Sequence, residues 1–196
     1  YEVLLGQCSA RDAILTTPFK GVEVIPSSMA LAAAELELAD MRDRVMRLKE
    51  ELVRVKGEYD FVLIDCPPSL GMVTLNALSA CDSLIIPIQC EYYALEGLSQ
   101  LVTTVRQVKR LYNPGIEIEG VLLTMYDGRL NLTLQVVDEV KKYFPEKVFK
   151  NVIPRNVRLS EAPSFGQPVL YFDRSSRGSQ AYEALTAEIL DKNRKG

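Results

Sequence analysis

The chain has 196 residues, 47% apolar and 25% charged, which is the composition of one soluble globular domain with no apolar run long enough to span a bilayer. It contains no histidine, which excludes Ser-His-Asp and Cys-His catalysis, and its four cysteines form no C-x-x-C pair and read as reduced cytosolic thiols. The net charge of −3 is uneven: residues 1–128 hold 11 Lys/Arg against 18 Asp/Glu, and residues 129–196 hold 12 against 8, so a basic patch for phosphate-rich partners would lie in the final third.

In chain order, residues 9–15 predict a short helix with Ser9 as N-cap. Residues 22–25 are strand-like and stop at Pro26. Ser28 is then expected to cap a long helix over residues 29–55, rich in Ala, Leu and Glu, that ends at Gly57. Residues 61–64 (Phe-Val-Leu-Ile) form an unbroken apolar run that suits a strand covered on both faces. Asp65 follows, then a loop that Pro67 and Pro68 keep from becoming helix. Helix is predicted over 72–80, strand over 83–88, helix over 95–112 and strand over 116–125. A helix capped by Asn131 comes next, then a strand over 147–153, a proline-containing segment over 157–170 and a closing helix over 177–192. Alternating strands and helices predict an α/β fold, a mostly parallel twisted sheet with helices on both faces.

The strand ends of such a sheet collect on one edge, where ligands of open α/β sheets bind. That edge would gather residues 65–71, 89–93, 124–129 and 154–158. A carboxylate there, Asp65, suits a Mg²⁺ ion beside a nucleotide phosphate. The phosphate cradle itself is missing. Of the eleven glycines only Gly115 and Gly120 have the P-loop separation, and Val121 and Leu122 follow them instead of Lys and Ser/Thr. No G-x-G-x-x-G occurs.

Four strings in order resemble the ParA/Soj family of partitioning ATPases, relatives of MinD with a deviant Walker motif: D-F-V-L-I-D-C-P-P-S-L-G from Asp60, P-I-Q-C-E-Y-Y-A-L-E-G from Pro87, G-V-L-L-T-M from Gly120 and V-I-P-R-N-V-R-L-S-E-A-P-S from Val152. The resemblance covers nearly the whole chain. It implies a P-loop NTPase fold of deviant Walker type, with residues 1–196 a single ParA-like (AAA_31/CbiA-type) domain, and the cofactors ATP and Mg²⁺. It further implies an ATP-dependent homodimer that binds DNA nonspecifically and is stimulated by a ParB-type centromere-binding protein, in the cytoplasm at the nucleoid. Asp65 matches the Walker B aspartate, which supports Mg²⁺ through water. Pro154 and Asn156 match positions at the adenine, and Arg129 and Arg158 match basic residues that bind DNA.

The sequence departs from the family at its start. Family members open with a strand, a K-G-G-x-G-K-T-type loop, a helix and a second strand bearing a catalytic Asp, whereas this sequence starts at Tyr1 without them. The expectation is an N-terminally shortened member, with an open apolar slot beside residues 61–65, that hydrolyses ATP poorly or not at all as written. A DNA- or partner-binding module without ATPase activity is the alternative. A MinD-like membrane ATPase is disfavoured by a tail, residues 189–196, with too little apolar face. A cluster-holding reductase is disfavoured because Cys81 sits at the end of the helix predicted over 72–80 and Cys66 directly follows Asp65.

Overall fold

A computed structural model gives the structure, which describes residues 1–67, 69–91 and 96–194. Two compact units emerge, one from Tyr1–Asp82 with Leu101–Glu117 and the other from Ser83–Gln100 with Ile118–Gly196. Neither is a continuous stretch of chain.

In the first unit Ser9 caps helix α2 (Ala10–Ala13), following the short helix α1 (Glu2–Leu5), through a capping box. Its hydroxyl accepts the Asp12 N–H, and the Asp12 carboxylate accepts the Ser9 N–H. The strand expected over 22–25 is present as β2 (Glu23–Val24), but its partner is β1 (Leu15–Thr16), antiparallel, with Leu15 opposite Val24. The strand therefore forms a small hairpin rather than a lane of the parallel sheet.

The long helix expected over 29–55 is broken. Ser28 caps only a 3₁₀ turn, Met29–Ala32, which α3 (Ala34–Glu37) and a second 3₁₀ turn, Leu38–Asp40, follow. Met41 is extended and Asp43 left-handed before helix resumes as α4 (Arg47–Leu52). Helix propensity differs among ordinary residues by only tenths of a kcal/mol, roughly 0.7 at most, and bonds to other elements replace it here. The fully buried Asn76, on α5 (Met72–Ala80), donates from Nδ2 to the Arg44 carbonyl (2.7 Å) and accepts the Leu48 N–H at Oδ1 (3.2 Å). The Arg47 guanidinium donates from Nε to the Leu4 carbonyl at 3.1 Å. Two apolar clusters hold the unit. Leu4, Ala34 and Leu38 form one, and Val3, Ala10, Leu52 and Val55 the other.

Residues 61–64 hold no regular secondary structure and pair with no strand among the described residues. This corrects the expected strand, since an apolar run sets the tendency and only a bonded neighbour makes a ladder. Phe61 and Val62 are exposed, and Leu63 is 87% exposed. A cavity of about 740 Å³ lies between residues 16–23 of the hairpin and residues 58–61.

In the second unit β3 (Ser83–Gln89) and β4 (Glu117–Thr124) run parallel. Their direction follows from bonds at both ends, Glu117 N–H to Asp82 carbonyl and Cys90 N–H to Thr124 carbonyl. Helix α6 (Glu96–Leu111) joins them, as the sequence predicted; Leu95, its expected start, lies outside the described residues. Residues 147–153 follow β4 as parallel bridges, Val121 to Val148 and Tyr126 to Pro154, not as the continuous strand expected. The reason is a bulge. Phe149 N–H bonds to Val121 and Ile153 N–H to Leu123, so four residues on one side span two on the other. The amides of Lys150 and Asn151 leave the ladder, and the Glu188 carboxylate accepts both, at 2.9 and 3.0 Å. Glu188 sits on the closing helix α10 (Arg177–Arg194), which packs Leu185 and Ile189 against Leu122, Phe149 and Ile153. A Cβ at Gly120 would come 2.5 Å from the Phe149 ring, so glycine is what lets this lane approach β4.

Burial works against the Glu188 charge, but the two amides and the Asn151 side chain outweigh it and hold its carboxyl below the usual range. A lowered folded pKa contributes stability above the ordinary carboxylate value, near ~4.3, that is lost as pH falls through the lowered one. Glu188→Gln is expected to cost about 1–2 kcal/mol in urea unfolding at pH 7. The gap to the parent protein should narrow below pH ~4, and a gap constant with pH counts against this role.

Helix α7 (Asn131–Tyr143) begins at Asn131 itself. Leu130 holds the cap position without a side-chain bond, which corrects the expected cap. Val136 and Val140 of this helix, and Phe144 just past it, are buried, whereas Leu132 stays exposed. The segment 157–170 folds as α8 (Val157–Glu161) and the 3₁₀ turn Ala162–Phe165, and α9 (Val169–Phe172) follows. Among the described residues no helix is long and apolar enough to cross a membrane.

Candidate functional site

Asp65 belongs to the first unit. Tyr59 fixes the approach to it by donating its hydroxyl to Glu23 of β2. Asp65 is exposed, and no described residue forms a hydrogen bond or ion pair with its carboxylate. The loop beyond it is fastened where α5 begins. The Thr74 hydroxyl donates to the Ser69 carbonyl (2.7 Å), and the Glu35 carboxylate accepts the N–H groups of Met72 and Val73. Pro68 lies outside the described residues.

The thiols near this loop are not poised as thiolates. Desolvation of its sulfur, then the Asp65 charge, pushes the Cys66 thiol up, and burial pushes Cys81 up to about 11. Among the described residues no three His, Cys, Asp or Glu side chains gather to hold a metal.

The other four predicted residues belong to the second unit, where the structure brings their loops together on one edge. Tyr126, just past β4, donates its N–H to the Ile153 carbonyl and pairs with Pro154, which sets the 125–129 turn beside the 154–158 turn. Met125 turns the chain through a left-handed conformation (φ 52°). Pro154 is half-buried. Asn156 is the N-cap of α8, its Oδ1 accepting the Arg158 N–H at 3.0 Å, which leaves its amide NH₂ and one lone pair of Oδ1 for a ligand.

Both predicted DNA-binding arginines are exposed and both face carboxylates that sequence reading had not assigned to them. Asp127 grips Arg129 in a fork, Nε to Oδ1 at 2.9 Å and Nη2 to Oδ2 at 2.6 Å. The Arg129 side chain, then its backbone N–H, holds the Asp127 carboxyl down at about 2. Arg158 bonds Glu161 at 2.7 Å and lies 3.3 Å from Asp173. Arg155, also in this turn, pairs with Glu91 past β3; Tyr92 and Tyr93, expected in that loop, lie outside the described residues. The i, i+3 spacing of Arg158 and Glu161 and the D-G-R order at 127–129 were signals for two of these pairs. Nothing in the sequence pointed to Asp173, Glu91 or Glu35.

The family model described as an AAA domain, AAA_31, matches residues 1–118. Sporulation initiation inhibitor protein Soj of Bacillus subtilis is 54% identical over 96% of this chain and 75% of its own length. Chromosome partitioning protein ParA of Myxococcus xanthus is 48% identical over 98% of this chain and 68% of its own. Among solved structures, the cobyrinic acid a,c-diamide synthase of Mycobacterium smegmatis with bound ADP and magnesium superposes with a TM-score of 0.82 at 34% identity, covering 96% of this chain and 70% of that one. The apolar run leading to Asp65, the parallel β3–β4 pair and these similarities agree: the chain belongs to the ParA/Soj family of chromosome-partitioning ATPases.

Proposed function

We propose that the protein partitions chromosomes or plasmids by cycling between nucleotide states, with ATP and Mg²⁺ as cofactors. The observation that carries this reading is Asp65, an exposed carboxylate without a partner among the described residues, between an apolar segment and α5. One carboxylate suits Mg²⁺, which keeps several waters and takes the rest of its shell from phosphates. Bound Mg²⁺ supplies charge that offsets the negative charge of the transferring phosphoryl group. Asp65, in the first unit, would hold and orient that ion's water. In the second unit, Pro154 and the amide of Asn156 are the residues that match the family's adenine positions. None of the eleven glycines provides a phosphate cradle, so Asp65 accounts only for the metal side of the nucleotide. Because the two units interleave along the chain, residues 1–196 are taken as one ATPase domain. The M. smegmatis protein is named a synthase, but it is 34% identical against 54% for Soj, so the partitioning reading takes precedence. The test is ATP turnover by the protein expressed from its own gene. Turnover that needs Mg²⁺ and Asp65 supports the reading, and turnover indifferent to both removes it.

In this reading the protein works in the cytoplasm at the nucleoid, as an ATP-dependent homodimer that binds DNA without sequence preference and is stimulated by a ParB-type centromere-binding protein. Arg129 and Arg158 bind DNA phosphates, exchanging Asp127, Glu161 and Asp173 for them. Replacing both with Ala is expected to flatten the salt dependence of DNA binding by about 0.9 log units of slope for each phosphate no longer neutralised. Fluorescence anisotropy with duplex DNA at several salt concentrations checks this, and an unchanged slope takes both arginines out of the interface.

A further inference from the structure

The Glu35 carboxylate occupies the start of α5 from far upstream in the chain. Its Oε2 accepts the Met72 N–H at 2.7 Å and its Oε1 the Val73 N–H at 3.2 Å. These are the first two residues of α5, whose opening amides have no partner within the helix. Gly71, at the cap position, contributes no side-chain bond. A Cβ at Gly71 would overlap both Glu35 oxygens, so any side chain there would force the carboxylate to shift. Glu35 is itself held firmly. Ala34 and Leu38 beside it are fully buried and pack with Leu4, Met72 and Val73.

Glu35 could be an ordinary helix cap, fixing α5 and nothing more. Its location argues for more. The amides it holds come directly after the loop that begins at Asp65, and the Thr74–Ser69 bond fastens the same loop end. The anchored groups, the Ser69 carbonyl and the Met72 and Val73 amides, come only four to eight positions after Asp65. We propose that Glu35 is a positioning residue for Asp65: with Gly71 it latches the end of the 65–71 loop, and so sets where the Asp65 carboxylate meets the Mg²⁺-bound water. This inference rests on the Mg²⁺ role of Asp65 proposed above.

The test uses the protein expressed from its own gene with Glu35→Ala, Glu35→Gln, Gly71→Ala, the Glu35→Ala/Gly71→Ala double variant and Asp65→Asn. Three quantities are measured: the Mg²⁺ concentration giving half-maximal ATP hydrolysis, amide hydrogen exchange over residues 65–73, and the thermal midpoint. Loss of a group that orients a metal ligand from behind typically weakens metal affinity about 10-fold or more. Glu35→Ala is therefore expected to raise the half-maximal Mg²⁺ concentration about 10-fold, with kcat recovering at saturating Mg²⁺. Exchange of the Met72 and Val73 amides should rise while β4 stays protected. Glu35→Gln, which keeps an acceptor and preserves folding, should show the same shift at smaller size. Gly71→Ala should reproduce the shift alone and add little once Glu35 is Ala. An unchanged Mg²⁺ requirement in both Glu35 variants, or fully additive Gly71→Ala, overturns the inference while leaving the role of Asp65 intact. Asp65→Asn with parental turnover and Mg²⁺ dependence overturns the reading beneath it, and the inference with it.

Discussion

Asp65→Asn is expected to lower kcat for ATP hydrolysis by at least about 10²-fold, with a much smaller change in the apparent affinity for nucleotide. Asparagine matches aspartate in shape and opens a turn equally well. If Asp65 only began the surface loop, this variant would be silent. If it orients the water of a Mg²⁺ ion, loss of its charge removes an interaction that matters most when charge builds on the phosphoryl oxygens. Loss of one such preorganised group typically costs 10²–10³ in rate, about 2.7–4 kcal/mol. Because the interaction grows in the transition state, the loss belongs in kcat rather than in ground-state binding. Steady-state turnover across a Mg²⁺ titration checks this. A variant within a factor of about 3 of the parent would be too small a loss for the proposed role.

Asn76→Ala is expected to lose about 2–4 kcal/mol of stability, the largest cost foreseen for a residue remote from nucleotide. Its side chain is fully buried and makes three bonds, to the carbonyls of Arg44 and Met72 and from the Leu48 N–H. Truncation strands the Arg44 carbonyl and the Leu48 N–H, whereas the Met72 carbonyl keeps its bond within α5, at about 1–3 kcal/mol for each group stranded. Asn76→Asp should be worse at neutral pH, because a carboxylate would face two carbonyl oxygens with no proton to offer. The acid form can donate one hydrogen bond, so that variant should regain stability as pH falls, the opposite of the Glu188 dependence. Urea midpoints at pH 5 and pH 8 separate the two substitutions. Equal midpoints for Asn76→Ala and the parent would show that the break in the 29–55 helix does not depend on this side chain.

By itself the sequence determined the elements whose cause is local. The capping box at Ser9 and Asp12, the stop of α7 before Pro145 and the apolar runs that became β3 and β4 were legible because neighbouring residues set them. The family was legible too, since the strings from Asp60 to Ser164 stand in one order. Only the tertiary structure decided features that depend on distant partners. Good helix formers over 29–55 gave way because Asn76 offered the backbone of Arg44 and Leu48 other bonds, and the Leu4 carbonyl took the Arg47 guanidinium. Residues 61–64 formed no strand among the described residues, because a strand needs a neighbour that no apolar pattern can name. The loop after Asp65 is latched by a carboxylate more than thirty residues upstream, and Asp173 reaches Arg158 only through the turns between them. A hydrogen bond forms between groups that folding brings within about 3 Å, and the linear order of residues states which groups exist but not which of them will meet.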